Sequence, residues 1–332
     1  MLGYIVRRIL IMIPTLIVIS IAIFTIIHLP PGDYFSTYIA ELQSAGEKAN
    51  LAKIAFLKAE YGFDLPLWRQ YLTWVGNLLR GDMGYSFLYD MPVDKVVGDR
   101  LLLTFLVSLA TIVFTYIVAF PIGVYSATHQ YSWGDYSLTL LGFLGLATPS
   151  FLLALVLVYL AHVWFGISVG GLMDPQYLNR PWDWGKAMSV AAHIWIPVIV
   201  IGTAGTAAMI RRLRANLLDE LQKQYVVTAR AKGLHPFKVL VKYPLRMALN
   251  PFISDIGSLL PQVISGAVIV SVVMSLPTTG PMLLEALRSQ DMYLAGSFLM
   301  FMSFLTVIGV FISDLALATL DPRIRLQSGA RS

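Results

Sequence analysis

No cysteine occurs among the 332 residues, which rules out disulfides, thiolate metal sites and cysteine nucleophiles. Charge is scarce too: 13% of residues are Asp, Glu, Lys or Arg, against about 25% in an ordinary soluble domain. The usual catalytic signatures are missing. Gly185-Lys186 has no upstream glycine to make a G-x-x-x-x-G-K-[ST] loop, so the chain is not expected to bind ATP phosphates itself. H-E-x-x-H and G-x-S-x-G are absent, and His28, His129, His162, His193 and His235 are scattered rather than set at metal-ligand spacing. Nothing in the sequence argues for a catalytic site, a metal or a cofactor.

What is present is apolar. Hydrophobic residues make up 57% of the chain, and the mean hydropathy is +0.70, values that place it in a bilayer. A net charge of +5 invites a nucleic-acid partner, but the cations gather near predicted span ends, which has a simpler cause in membrane topology. No nucleic acid is expected.

Ile9–Leu29 is an uninterrupted apolar run of the length that crosses a bilayer. Arg7 and Arg8 precede it, as in a signal peptide, but the run is too long and no small-x-small cleavage pattern closes it, so it is read as a retained first span. Hydropathy then places spans at Leu101–Tyr125, Tyr136–Phe165, Met188–Ile210, Phe252–Leu276 and Tyr293–Leu320. The expectation is an all-α membrane protein with six transmembrane helices and both termini cytoplasmic. Charge supports that orientation: cytoplasmic segments would hold fourteen Lys and Arg, while two external loops hold only Arg180, Lys186 and Arg288. The loop Ser126–Asp135 has neither Lys nor Arg, so its side follows by parity alone.

The chain thus divides into 1–29 (N-terminus and first span), 30–100 (an external polar section), 101–320 (a membrane core) and a cytoplasmic tail, 321–332. Within 30–100, nine acidic residues outnumber seven basic ones, and helices are expected at Glu47–Tyr61 and Pro66–Leu79. Pro14, Pro121, Pro149, Pro197 and Pro261 fall inside spans, where kinks are tolerated if neighbours or water re-satisfy the backbone.

One inner segment, 211–251, is long and basic. Its heart is Tyr225–Pro251, YVVTARAKGLHPFKVLVKYPLRMALNP. A helix read from Leu213 puts Leu213, Leu217, Leu221 and Tyr225 on one face. Gly233 sits where such a helix would stop, since glycine takes the left-handed conformation without a Cβ clash. Pro236 suits the first turn of a second helix, where its missing N–H costs nothing. The segment therefore reads as helix, glycine turn, helix, with small residues at Ala229, Ala231 and Gly233. In the fifth span, Asp255, Ser258, Gln262 and Ser265 are spaced by three, four and three, forming a polar helical face beside Pro261. Such a face meets a cavity or another helix rather than lipid, and both readings stand.

At Thr228-Ala229-Arg230-Ala231-Lys232-Gly233-Leu234, then Leu245-Arg246 and Pro251, the chain resembles the permease subunits of bacterial ABC importers, in particular the dipeptide/oligopeptide/nickel subgroup. The match continues along the whole chain. It runs through Pro31-Gly32-Asp33, Tyr61-Gly62, Gln70-Tyr71, Gly81-Asp82, Gly84, Ser86, Arg100-Leu101 and Thr148-Pro149-Ser150-Phe151. It closes with His193 and Pro197, Arg211 and Arg214, Asp314 and Asp321-Pro322-Arg323-Ile324-Arg325. Val227 stands where the wider family has Glu; Leu276-Pro277-Thr278-Thr279-Gly280, Met247 and Leu317 are further departures.

The resemblance implies a type I ABC importer permease fold and a loop that docks on an ATPase through Thr228, Ala229, Arg230, Ala231, Lys232, Gly233, Leu234 and Lys238. It also implies the partners: a second homologous permease, two ATPase subunits and an extracytoplasmic solute-binding protein. ATP hydrolysis would occur on a separate subunit. Substrates in the subgroup include di- and oligopeptides, oligosaccharides, opines, glutathione and nickel chelates. Ser258, Gln262 and Ser265 are candidates for the pathway. An ATP-independent channel or secondary carrier is the competing class.

Overall fold

A computed structural model of the chain describes residues 2–32, 34–36, 39, 58–59, 62–165, 171–177 and 180–320. The expected helix Glu47–Tyr61 lies almost wholly outside the described residues, as does the tail 321–332. The rest is dominated by helices, because long apolar runs in a medium without water must satisfy their backbone groups internally. The chain forms two compact units, Met1–Leu102 with Thr278–Ile308, and Leu103–Pro277 with Gly309–Ser332.

In the first unit, α1 (Leu2–His28) carries the first apolar run, with Pro14 inside it. Only the end of α1 is well covered: Ser20, Ile23 and Phe24 are buried. Ser20 pairs with the Tyr71 hydroxyl at 2.8 Å, and Phe24 meets the Tyr71 ring edge-on. Tyr71 and the buried Trp74 belong to α2 (Leu67–Leu79), which starts directly after Pro66, where proline's fixed φ leads the chain into a first turn. Its boundaries agree with the expected helix Pro66–Leu79. A two-residue antiparallel hairpin follows, β1 (Tyr85–Ser86) and β2 (Met91–Pro92), and leads into α3 (Val93–Thr128). Tyr34, Phe35, Phe63, Phe87 and Tyr293 form an aromatic cluster, with Phe35 and Phe87 rings 4.9 Å apart and Phe63 and Tyr293 rings 5.9 Å apart.

The second unit is built around α7 (Trp195–Leu221). Against it pack most of α3, α4 (Trp133–Ala147), α5 (Ser150–Phe165) and α11 (Asn250–Val273). One core joins Leu103 and Val107 of α3, Ala154 and Ala161 of α5, Ile196 and Val200 of α7, and Val270 of α11. A second, further along α7, joins Ala119 and Ala127 of α3 to Met209, Ile210, Leu213 and Leu217. Helices α3 and α7 approach closely through glycine: a Cβ on Gly123 would sit 2.9 Å from Leu213 Cδ2, and one on Gly202 2.7 Å from Phe114 Cδ1.

Among the described residues, four helices are long and apolar enough to cross a membrane: Ile5–His28, Val93–Thr128, Trp195–Leu221 and Met292–Leu315. The last lies in α13 (Met292–Leu320). The expected span Tyr136–Phe165 is not one straight helix. It is a pair, α4 and α5, bent by 101° at Thr148-Pro149. Pro149 pushes its predecessor out of the helical region, and Thr148 is extended (φ −79, ψ 121) with its hydroxyl donating to the Leu144 carbonyl at 2.7 Å. The fourth expected span also shifts. Met188–Ile210 straddles the end of a short helix, α6 (Trp184–His193), and the continuous helix runs instead from Trp195 to Leu221.

Candidate functional site: the basic helical elbow

The helix expected from Leu213 through Tyr225 is interrupted. α7 ends at Leu221, Lys223 is extended (φ −68, ψ 146), and a new helix, α8 (Gln224–Ala231), begins. Leu213 and Leu217 are fully buried as the spacing predicts, whereas Tyr225 lies beyond the break and is exposed. Its hydroxyl donates to the Glu220 carboxylate across the break. Partial desolvation of the hydroxyl where it meets Glu220, together with that carboxylate's hydrogen bond and charge, pushes the Tyr225 hydroxyl above its usual range.

The turn after α8 has the hydrogen bonds of a Schellman motif. Leu234 N–H donates to the Ala229 carbonyl at 3.4 Å, and Gly233 N–H to the Arg230 carbonyl at 2.9 Å. Gly233 adopts φ +73, the left-handed conformation the sequence calls for, with nothing within 4 Å of where a Cβ would stand. The demand on this glycine is therefore conformational, not a close approach within the chain. Pro236 opens α9 (Pro236–Lys242) at its first turn, and α10 (Pro244–Ala248) leads on to α11.

Val226 and Ala229 of α8 and Val239 of α9 are buried against each other, flanked by Leu234 and Tyr243. The two short helices are thus held as one elbow. Leu245 and Ala248 of α10 and Phe252 of α11 in turn join the buried cluster at the end of α7. Of the residues assigned to docking, Ala229 is buried and Leu234 half-buried, whereas Thr228, Arg230, Ala231, Lys232, Gly233 and Lys238 are exposed. Ala229 therefore serves the elbow's interior.

Sequence reasoning missed the apolar part of this surface. Phe237 is 69% exposed, with Val227 and Val241 also open beside the cations. The signal was available: on a helix whose buried residue is Val239, apolar residues at 237 and 241 fall on a different face.

A second missed feature is Asp135. Its carboxylate is buried and receives a two-pronged bond from Arg214 of α7, Nε to Oδ1 at 3.0 Å and Nη2 to Oδ2 at 2.8 Å. Tyr131 N–H donates to the same carboxylate at 3.0 Å, and Ser132 caps α4 by accepting from Asp135 N–H.

On α11, the backbone places residues 255, 258, 262 and 265 on one helical face, and Gln262 is exposed on the isolated chain. The side chains of Asp255, Ser258 and Ser265 lie outside the described residues. A comparable face exists on α3, unremarked in the sequence: Thr104, Ser108 and Thr111, spaced by four and three, are all buried. Among the described residues no group of His, Asp and Glu is arranged to hold a metal.

Comparison with known proteins covers nearly the whole chain. Residues 119–326 match the family model described as binding-protein-dependent transport system inner membrane component, and residues 1–110 match the model for the N-terminal part of such components. The oligopeptide transport system permease protein AppB of Bacillus subtilis is 33% identical over 98% of this chain and 99% of its own length. The dipeptide transport system permease protein DppB of Escherichia coli K12 is 29% identical over 98% and 99%. The glutathione transport system permease protein GsiC of Pectobacterium atrosepticum is 30% identical over the same shares. With its apolar helices and end-to-end match, the chain belongs to the binding-protein-dependent transport system inner membrane component family, as a multi-pass inner-membrane permease subunit of an ABC transport system.

Proposed function

We propose that this permease forms half of the translocation pathway of an ATP-driven importer for di- or oligopeptides delivered by a solute-binding protein. The peptide assignment is supported by the names of AppB and DppB. In this reading the fold is that of a type I ABC importer permease with six spans, α4 and α5 together making one and α11 another. Both termini are cytoplasmic, 30–100 is external, 101–320 is the permease core, and 321–332 is a cytoplasmic tail. The pathway is completed by a second homologous permease, and ATP is hydrolysed by two separate ATPase subunits.

The observation that carries the reading is the elbow Thr228–Leu234. It is a glycine turn between two short helices that share a buried interior, with Leu240 of α9 and the following α10 packed on the end of α7, and it presents Arg230, Lys232 and Lys238 together with exposed Phe237. An exposed surface combining cations with an aromatic side chain suits a cleft on another protein, where a buried aromatic supplies much of the binding energy and charges set orientation. Gln262, with Ser258 and Ser265 on the same face of α11, is assigned to the pathway.

The decisive experiment reconstitutes the complete complex in proteoliposomes and follows radiolabelled dialanine and a labelled pentapeptide. Uptake should need ATP on the side of the ATPases and survive collapse of ion gradients. Uptake driven by an ion gradient without ATP would establish a secondary carrier, and transport of glutathione or a nickel chelate in place of peptides would overturn the substrate assignment. Reporter fusions at Ser44 and Ser332 should fall on opposite sides of the membrane; finding both on one side would defeat the six-span topology.

A further inference from the structure

The helix that carries the elbow, α7, also packs along α4, the first helix of the broken pair, and one polar contact between them is bidentate. Arg214 lies seven residues before the end of α7, about 10 Å along the helix axis at 1.5 Å per residue. Immediately beyond are the break at Gln222–Lys223 and the elbow. The other partner, Asp135, occupies the first turn of α4, whose far end is the 101° bend at Thr148-Pro149. A buried ion pair thus ties the helix that carries the elbow to the helix that leads into the bend.

The chemistry of that link is specific. Both carboxylate oxygens are engaged by the guanidinium, so separation and orientation are fixed together. Oδ2 also accepts Tyr131 N–H, and Tyr131 sits at φ +65, reversing the chain between α3 and α4. Thr139 Oγ1 approaches Oδ1 at 3.4 Å, one turn along α4. Turn, helix start and α7 therefore share one buried anion, which cannot slide without leaving a charge unpaired. By contrast, the close approach of Gly145, towards the far end of α4, to Thr203 of α7 is apolar packing with no directional bond.

We propose that Asp135 and Arg214 are positioning residues for transport: they carry movement of the elbow into α4 and so to the bend between α4 and α5. This rests on the reading of the elbow as the ATPase-docking surface. The link makes the pair more than a folding staple, because the fork fixes the orientation of α4 on α7 as well as its distance.

The absence of cysteine allows the test to be made on the complete transporter with single labels. Ala231→Cys places an environment-sensitive fluorophore on the elbow, and Ala147→Cys places one at the exposed end of α4 beside the bend. In the parent complex both labels should respond when ATP is added. With Asp135→Asn, or with Arg214→Lys, which keeps the charge but not the fork, the Ala231 response should persist and the Ala147 response should be lost. Should Asp135→Asn fail to assemble, Arg214→Lys carries the comparison. An Ala147 label that responds fully in the Arg214→Lys complex overturns the proposal. A silent Ala231 label in the parent would instead defeat the docking reading, and the dependence of the Ala147 response on Arg214 would still decide the role of the pair.

Discussion

Ser86 donates its hydroxyl to the Asp291 carboxylate at 2.7 Å; both side chains are fully buried, although 205 residues separate them. The same carboxylate accepts Leu88 N–H at 3.1 Å and, through its other oxygen, Leu294 N–H at 3.1 Å, so it caps α13 while holding the hairpin β1–β2. Two distant segments of the first unit are closed by this one anion. The sequence quotes Ser86 only as part of a resemblance and gives Asp291 no role, because nothing local to either residue announces the other.

The pH dependence of stability should reveal Asp291. Burial pushes its carboxyl above the ordinary range, and the hydrogen bonds from Ser86, Leu88 and Leu294 offset that only in part. An acid raised on folding contributes stability that is complete below its unfolded value of about 3.9 and is lost as pH rises through the folded value. Asp291→Asn should therefore flatten the fall in thermal midpoint as pH rises above about 4, measured in detergent. Parallel curves for parent and variant would contradict this. Asp291→Ala should be worse at every pH, since each stranded buried donor costs about 1–3 kcal/mol.

Close packing of α3 on α7 predicts a coupled pair. Leu213 is fully buried, so Leu213→Ala should cost about 2–5 kcal/mol in unfolding free energy. Gly123→Ala should also destabilise, because its new methyl would meet Leu213 Cδ2 at 2.9 Å. In the double variant the methyl occupies space that the leucine vacates, so the combined loss should be smaller than the two added together. Strict additivity in chemical unfolding would show that α3 and α7 are not locked at this level.

Helix positions were largely legible, since apolar periodicity and length report directly on burial in a bilayer. The glycine turn was legible too: Gly233 and Pro236 each allow few backbone choices, and the structure uses the expected ones. The helix breaks were not. Pro149 reads equally as a kink within a span or as a break, and the surrounding sequence holds no further cue. The interruption at Gln222–Lys223 has neither glycine nor proline to mark it, so local propensity gives no sign of it. Asp135 was illegible for the same reason as Asp291: its partner is 79 residues away.

Gln262→Leu tests the polar face of α11. If this face lines the pathway, the variant should lose most peptide uptake while the complex still assembles and hydrolyses ATP in response to the binding protein. A leucine substitution suits a helix–helix seam or lipid contact at least as well as glutamine does, so a purely structural face predicts unchanged uptake and a similar or higher thermal midpoint. Uptake at parental rates for several peptides would remove Gln262 from the pathway.

The elbow permits the most direct test. Gly233 holds φ +73 with open space around its Cβ position, so Gly233→Ala and Gly233→Val differ in strain, not in any clash within the chain. A β-branched side chain is a poor occupant of the left-handed region, at a cost of roughly 1–3 kcal/mol. Gly233→Val should break the paired bonds from Gly233 and Leu234 and turn α9 away from α8, unpacking Val239 from Val226 and Ala229. Because no span is touched, the protein should still insert at parental levels, while uptake is lost and ATP hydrolysis no longer responds to the binding protein. Gly233→Ala should lie between, with partial uptake. Ala231, exposed one residue before the C-cap, then reports on contact itself. In the cysteine-free chain, Ala231→Cys paired with single cysteines around the ATPase cleft should crosslink under oxidation, with a yield that changes when ATP is bound. A complete scan of that cleft without a crosslink, in a complex that is actively transporting, would refute docking by this elbow.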